Sequence, residues 1–382
     1  MKERMMVLIV LVAAAGMIIG FAGPVAAIQG ECDNCHVMHN SQNGEPVVQV
    51  YSGGLITVSD TPIPQLLNAD CVACHAGDTD TATNSFEAPI VLHINNPVGQ
   101  GYQDTLAGGD FYWVADGLGN TGGANDASGH NVVGVSNEDT VIQPDGRTPP
   151  GFDESATPGA NNDGVMNNGP APWSVQLTCA GRNGCHGNHE DADPFAAIKG
   201  AHHGNTGLTA TQATTATTIG SSYRFLSGIK GLENSEWNWN ETSATHNEYF
   251  GRPNNPDYQY RDTISYSCAQ CHGVFHSDIG TESPWLRHPT DVVLPASGEY
   301  NEYNPDNGGV YSVEAPLARQ SIPSASSSDV TPGASVVMCL SCHRAHGSPE
   351  PDILRWTYAN NQAGTGTDDT GCFTCHTTKN AD

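Results

Sequence analysis

Positive charge is scarce in this 382-residue chain: 14 Lys+Arg stand against 41 Asp+Glu, for a net charge of −27. That argues against a nucleic-acid partner, which needs a basic surface, and against an anionic membrane surface. Apolar side chains are also few, at 37% of the chain with only 7% aromatic. The 43 Gly and 24 Pro disfavour long helices and wide sheets. Beyond the first 27 residues no apolar run is long enough to span a bilayer, and no long block of like charge marks a solvated tail. Low hydrophobicity with high net charge ordinarily predicts disorder. A folded chain of this composition therefore needs something besides side chains in its interior.

The N-terminus reads as a secretory signal peptide, residues 1–27. Lys2 and Arg4 are followed by the apolar stretch 5–21 and by small residues at Val25-Ala26-Ala27. Cleavage would leave one domain, 28–382, with no membrane-spanning segment; uncleaved, the stretch would be a single tethering helix. An exported chain with 12 Cys would usually form disulfides.

The cysteines instead fall into six pairs, each followed at once by His. Five have two residues between the thiols: Cys32/Cys35/His36, Cys71/Cys74/His75, Cys268/Cys271/His272, Cys339/Cys342/His343 and Cys372/Cys375/His376. The sixth, third in chain order, has five: Cys179/Cys185/His186. This is the pattern of c-type haem attachment, in which two thiols bond the two vinyl groups and the adjacent imidazole becomes the proximal iron ligand. Disulfides do not require the His, and its sixfold chance recurrence is on the order of one in 10⁸. Zinc ribbons do not need His at that place, and a thioredoxin-type dithiol would occur once. Six haems are thus expected. For the long third motif a disulfide is the alternative, and Gly181 and Gly184 would let its spacer bulge.

Ten His remain after the six proximal ones, enough for bis-His ligation throughout. Saturated iron suits electron transfer, whereas an open position suits catalysis. The distal candidates are His39, His93, His130, His189, His276, His288 and His346, with His202 and His203 ranked lower. His39, His189 and His346 lie three residues after a proximal His, and His276 four. On a short helix such a residue shares the proximal face, so it serves a different haem. His246, far from any motif, is expected at the surface. Met38, Met166 and Met338 are expected to pack against porphyrin rather than ligate. Arg287 and Arg344 are candidates to pair with propionates.

The fold class expected is a mostly irregular chain organised around its haems, with helical turns at the motifs, for example 336–345. Short strands are expected at 46–51, 132–135 and 222–226. Motif starts at 32, 71, 179, 268, 339 and 372 show no fixed period. Asp/Asn clusters such as Asn161-Asn162-Asp163-Gly164 and Asp78-Thr79-Asp80 read as turns first and as calcium ligands only second.

Several patches carry a resemblance: 31–41 around Cys32 to His39, the run 108–114, Gly129-His130-Asn131, Tyr223-Arg224, Leu286-Arg287-His288-Pro289, and 339–346. In this order, with six motifs, the chain resembles the filament-forming extracellular multihaem c-type cytochromes. The resemblance implies a secreted electron conductor that polymerises with itself and has bis-His iron throughout. It also implies that His39 ligates a haem in the neighbouring subunit. Other cytochromes would supply electrons, and metal oxides or electrodes would take them. The Cys179–Cys185 spacing and Ala201-His202-His203 depart from the family. A monomeric periplasmic shuttle and a reductase with one open haem are the competing readings.

Overall fold

The protein is represented by a computed structural model that describes residues 31–78, 81–97, 105–118, 126–139, 147–152, 173–200, 213–253, 260–277, 288–364 and 370–379. The signal segment, the Asn161 cluster, Asp80, Met166, His202, His203 and Arg287 lie outside these residues.

Regular structure is short throughout the described residues, as the Gly and Pro content dictates. Strands β1 (Val48–Ser52) and β2 (Leu55–Ser59) form an antiparallel hairpin that runs from Val48 opposite Ser59 to Ser52 opposite Leu55. Its two-residue turn is Gly53-Gly54, both at positive φ. Helix α1 (Cys71–Cys74) carries the second motif, capped by Asp70, whose carboxylate accepts from Ala73 N at 2.6 Å. Next come the parallel pair β3 (Ala76–Gly77) and β4 (Leu92–His93), then the parallel pair β5 (Thr178–Ala180) and β6 (Gly184–His186). Helix α2 spans Pro194–Ala197, and β7 (Gly231–Leu232) pairs antiparallel with β8 (Glu248–Tyr249). Helices α3 (Ile264–Ala269) and α4 (Val274–Ser277) flank the fourth motif. Strands β9 (Val292–Val293) and β10 (Val336–Val337) pair antiparallel just before the fifth. Among the described residues every sheet has two strands and the longest helix six residues.

The expected strand at 46–51 is β1. At 132–135 the chain turns instead, held by Val135 N to Val132 O at 3.0 Å. The segment 222–226 contains a 3-10 turn, Tyr223–Phe225, with Arg224 at φ 47. The stretch 336–345 divides into β10 and a 3-10 turn, Cys339–Ser341.

Among the described residues no single core organises the fold. Four small apolar clusters take its place, and each includes or abuts motif cysteines or their neighbours. One gathers Tyr51, Val72, Leu92, Phe111 and Val132 against Cys74 and Cys179. Another packs Phe152 and Trp173 onto Cys271 and Cys185. The others centre on Tyr249, Ile264 and Met338, and on Leu294, Tyr303 and Leu317, the last touching Cys375.

Candidate haem-binding cavity

At all five two-residue-spaced motifs the backbone closes the same turn. The His N–H donates to the carbonyl of the first Cys: His36 to Cys32 (2.9 Å), His75 to Cys71 (3.1 Å), His272 to Cys268 (3.0 Å), His343 to Cys339 (3.1 Å) and His376 to Cys372 (3.0 Å). One helical turn therefore presents two thiols and an imidazole together. The third motif reaches a similar end differently. β5 and β6 pair in parallel around the spacer, with Gly181 at φ +86 and its N–H donating to His186 O at 2.9 Å. A Cβ on Gly184 would lie 2.5 Å from backbone atoms of Thr178 and Ala180, so the bulge requires glycine there. No two of the twelve cysteines are joined in a disulfide. Burial pushes Cys185 up to about 11, and Cys74, Cys342 and Cys375 up to about 12.

Residues of all six motifs line one cavity of about 2160 Å³. Drug-sized ligands occupy roughly 300–1,000 Å³, so this space is built for something larger or for several groups. Its lining is predominantly apolar, as a porphyrin requires, with imidazoles at intervals.

Hydrogen bonds fix the orientation of those imidazoles. Nδ1 donates to a backbone carbonyl in His36 (Gln65, 3.1 Å), His75 (Pro89, 2.8 Å), His186 (Arg224, 2.8 Å), His272 (Pro150, 2.6 Å) and His343 (Asp352, 2.8 Å). His130 does the same with Ala345 (2.7 Å) and His288 with Pro289 (3.0 Å). A carbonyl only accepts, so each bond places the proton on Nδ1 and leaves the Nε2 lone pair for a metal. His376 differs: its Nδ1 lies 3.5 Å from Glu299 Oε1. Burial, joined by the neighbouring His130, lowers His272 to about 4. Burial, joined by His186 and His130, lowers His346 to about 3. Neutral imidazole is the ligating form.

Three imidazole pairs face each other across the cavity or its edge: His130 and His272 (centroids 6.1 Å apart), His186 and His346 (6.4 Å), and His288 and His376 (6.1 Å). Two imidazoles on opposite sides of one metal, each bonded at about 2 Å, have centroids roughly 6 Å apart. His346 thus faces the third motif rather than its own His343. The fold fits haem at these places.

Other candidates are placed elsewhere. His39 is exposed. His93 is buried away from the cavity, its Nδ1 on Asp110 Oδ2 at 2.6 Å and its ring stacked on Trp239. His189 is buried with Nε2 on Cys185 O at 3.1 Å. His276 falls in α4, but its side chain lies outside the described residues. Met338 is fully buried on the cavity wall, whereas Met38 is 79% exposed. Arg344 is buried, with Nη1 donating to Leu106 O and Ala107 O at 3.2 and 3.4 Å.

The expectation that His246 lies at the surface is overturned, for it is only 1% exposed. Its ring stacks on Tyr311 at 3.7 Å, and Nε2 lies 3.4 Å from Glu248, which also holds Arg319 at 2.5 Å. This polar neighbourhood, remote in sequence from any motif, makes its burial tolerable.

The doubled CXXCH motif family matches residues 332–381, the fifth and sixth motifs. Among curated proteins, C-type cytochrome OmcS of Geobacter sulfurreducens is 27% identical over 396 aligned positions, covering 91% of this chain and 84% of that one. The chain is similar to OmcS along nearly its whole length. Two solved structures of OmcS align as well. One is described as an outer membrane cytochrome S filament (19% identity, TM-score 0.41, covering 94% of this chain and 93% of that one). The other is described as OmcS nanowires seen by cryo-EM (22% identity, TM-score 0.45, covering 94% and 95%). Among the described residues of the OmcS-like chain no helix is long and apolar enough to cross a membrane. Nor do three or more of its described His, Cys, Asp and Glu residues gather into a bare metal-ion site.

Proposed function

We propose that the chain is an extracellular multihaem c-type cytochrome that conducts electrons over long distances as a self-assembled filament, without an enzymatic site. The observation that carries this reading is the single cavity into which all six motifs open. Conduction needs adjacent cofactors, and separate pockets would not provide it. Bound haem supplies one-electron iron couples whose potentials follow axial ligation and burial.

The residues have distinct tasks. Each Cys pair, including Cys179 and Cys185, anchors one haem, for six in all. His36, His75, His186, His272, His343 and His376 are the proximal ligands. His130 serves opposite His272, His346 opposite His186, and His288 opposite His376; the ring separations support these pairings. His39, exposed beside the first motif, reaches a haem of the next subunit. Filament contacts are further supported by β2, an apolar strand whose outer edge is bonded to no other strand among the described residues. Leu55 (66% exposed) and Val58 (57%) stand on it, and such edges are ordinarily covered by a partner. Other cytochromes donate electrons, and external acceptors such as metal oxides receive them.

Mass spectrometry of the secreted protein tests the cofactor count, with six haems expected; five would return Cys179 and Cys185 to another role. Cryo-EM of the same material tests assembly. His39→Ala is expected to yield folded, haem-loaded subunits that no longer polymerise. Unimpaired filaments from that variant would remove the trans-ligand assignment.

A further inference from the structure

The carbonyls that hold the proximal imidazoles come from two kinds of turn. In motifs one, three and five the accepting carbonyl belongs to a non-glycine residue at positive φ: Gln65 (φ 61), Arg224 (φ 47) and Asp352 (φ 57). The next residue is also left-handed each time: Leu66 (φ 59), Phe225 (φ 58) and Ile353 (φ 51). Side chains disfavour this region, and residues held there persist only where the surroundings require them. The positive-φ non-glycine residues in the described chain include four consecutive pairs; Trp237–Asn238 stands apart, and these three repeat one contact.

The contact has two bonds. The first residue of the pair accepts from the imidazole Nδ1 (3.1, 2.8 and 2.8 Å for His36, His186 and His343). The second accepts from the backbone N–H just after the His: Val37 to Leu66 (2.7 Å), Gly187 to Phe225 (2.8 Å) and Arg344 to Ile353 (2.8 Å). A Leu follows every pair and bridges back to the motif: Leu67 to His36, Leu226 to Gly187 and Leu354 to His343. Motifs two and four lack the left-handed pair. Their imidazoles donate to proline carbonyls, Pro89 and Pro150. The three turns share the order polar, apolar, Leu, yet lie 29, 38 and 9 residues from their His. A fixed-period repeat search would therefore miss them.

We propose that Gln65–Leu66, Arg224–Phe225 and Asp352–Ile353 are positioning residues for the iron ligands of motifs one, three and five. Each pair clamps the proximal ring at its Nδ1 and at the adjoining backbone, so that the ring plane and the Nε2 lone pair are fixed. A bound Nδ1–H raises imidazole basicity and stabilises the ferric state. Each clamp thus bears on the potential of the haem at its own motif. This rests on the reading that these His ligate haem.

The test uses secreted holoprotein and the first motif, where the surroundings are most open. Gln65→Pro cannot adopt positive φ and should displace the carbonyl; Gln65→Gly adopts it freely. With six haems confirmed by mass, Gln65→Pro is expected to shift one of the low-spin ferric EPR signals and to raise one potential in a spectroelectrochemical titration. Gln65→Gly should leave every signal and potential in place. Unchanged signals and potentials in fully loaded Gln65→Pro overturn the clamp, as does an equal shift in both variants. If Gln65→Pro does not accumulate, Gln65→Val, also averse to positive φ, is measured in its place with the same two outcomes. Loss of one haem from the unmodified protein would instead count against the haem reading itself.

Discussion

Motifs one and five close the same backbone turn and use the same clamp, yet their settings are opposite. Around motif one, Cys32 and His39 are exposed, Met38 is 79% exposed, and the adjoining β2 presents Leu55 and Val58 outward. Around motif five, Val336 and Met338 are 0% exposed, Ser341 and Arg344 are buried, and His346 reaches across to the third motif. Ser341 Oγ also donates to Pro316 O, and Arg355 N to Cys342 O at 2.9 Å. The same Cys/His motif therefore serves as an interior pillar in one place and as an open end in the other. An open end suits contact with another subunit; a pillar suits holding the fold together.

The comparison can be broken most severely at the proximal ligands. His343→Ala and His36→Ala should each produce a high-spin ferric EPR signal. Only His343→Ala should also lower stability measurably, because its neighbours Met338, Ser341 and Arg344 are buried, read by denaturant unfolding of holoprotein. Equal losses would show that the two settings do not differ energetically.

Acid should act next, and mainly on the interior. His346 and His272 have native values lowered by burial, to about 3 and about 4. The unfolded chain therefore binds more protons than the native one between roughly pH 6.5 and those values. Their contribution is complete above pH 6.5 and declines as pH falls through that window. Thermal unfolding between pH 7 and pH 4 measures it. Replacing His346 by Gln should flatten the dependence, whereas replacing His39 should not.

A packing contrast follows. Met338→Ala should cost about 2–5 kcal/mol, but Leu55→Ala only about 0.5 kcal/mol or less in isolated subunits. The smallest effect on stability sharpens the comparison most. Leu55→Ser combined with Val58→Ser should leave the subunit's melting temperature nearly unchanged while reducing filament mass in sedimentation. Normal assembly by this pair would mean that β2 lies outside the subunit contact.

Much of the site was legible because attachment chemistry is local. The Cys-x-x-Cys-His spacing specifies one helical turn, and that turn recurs wherever the spacing does. The irregular fold followed from the Gly and Pro content. The long third motif was legible as an anomaly, and Gly181 and Gly184 marked where its backbone would bend. The partners of each imidazole were not legible. His272 donates to Pro150 across 122 positions, and His130 to Ala345 across 215. His246 misled because its only sequence signal was distance from a motif. Glu248, two residues on, and Arg319 lay in plain view, but nothing local brings them together. The left-handed clamps were hidden for a related reason: a positive φ at Gln65 or Asp352 is imposed from outside, against the residue's own preference.

By itself the sequence determined where the six Cys/His motifs lie, which thiols and imidazoles they bring together, and that the backbone there makes a turn. Those features depend on bonds within a few residues, and short-range geometry allows few alternatives. Only the tertiary structure decided which imidazoles face each other, which motif became a buried pillar and which an open end, and which carbonyls clamp the ligands. These are contacts between segments tens to hundreds of residues apart, selected by the packing of the whole chain around one shared cavity.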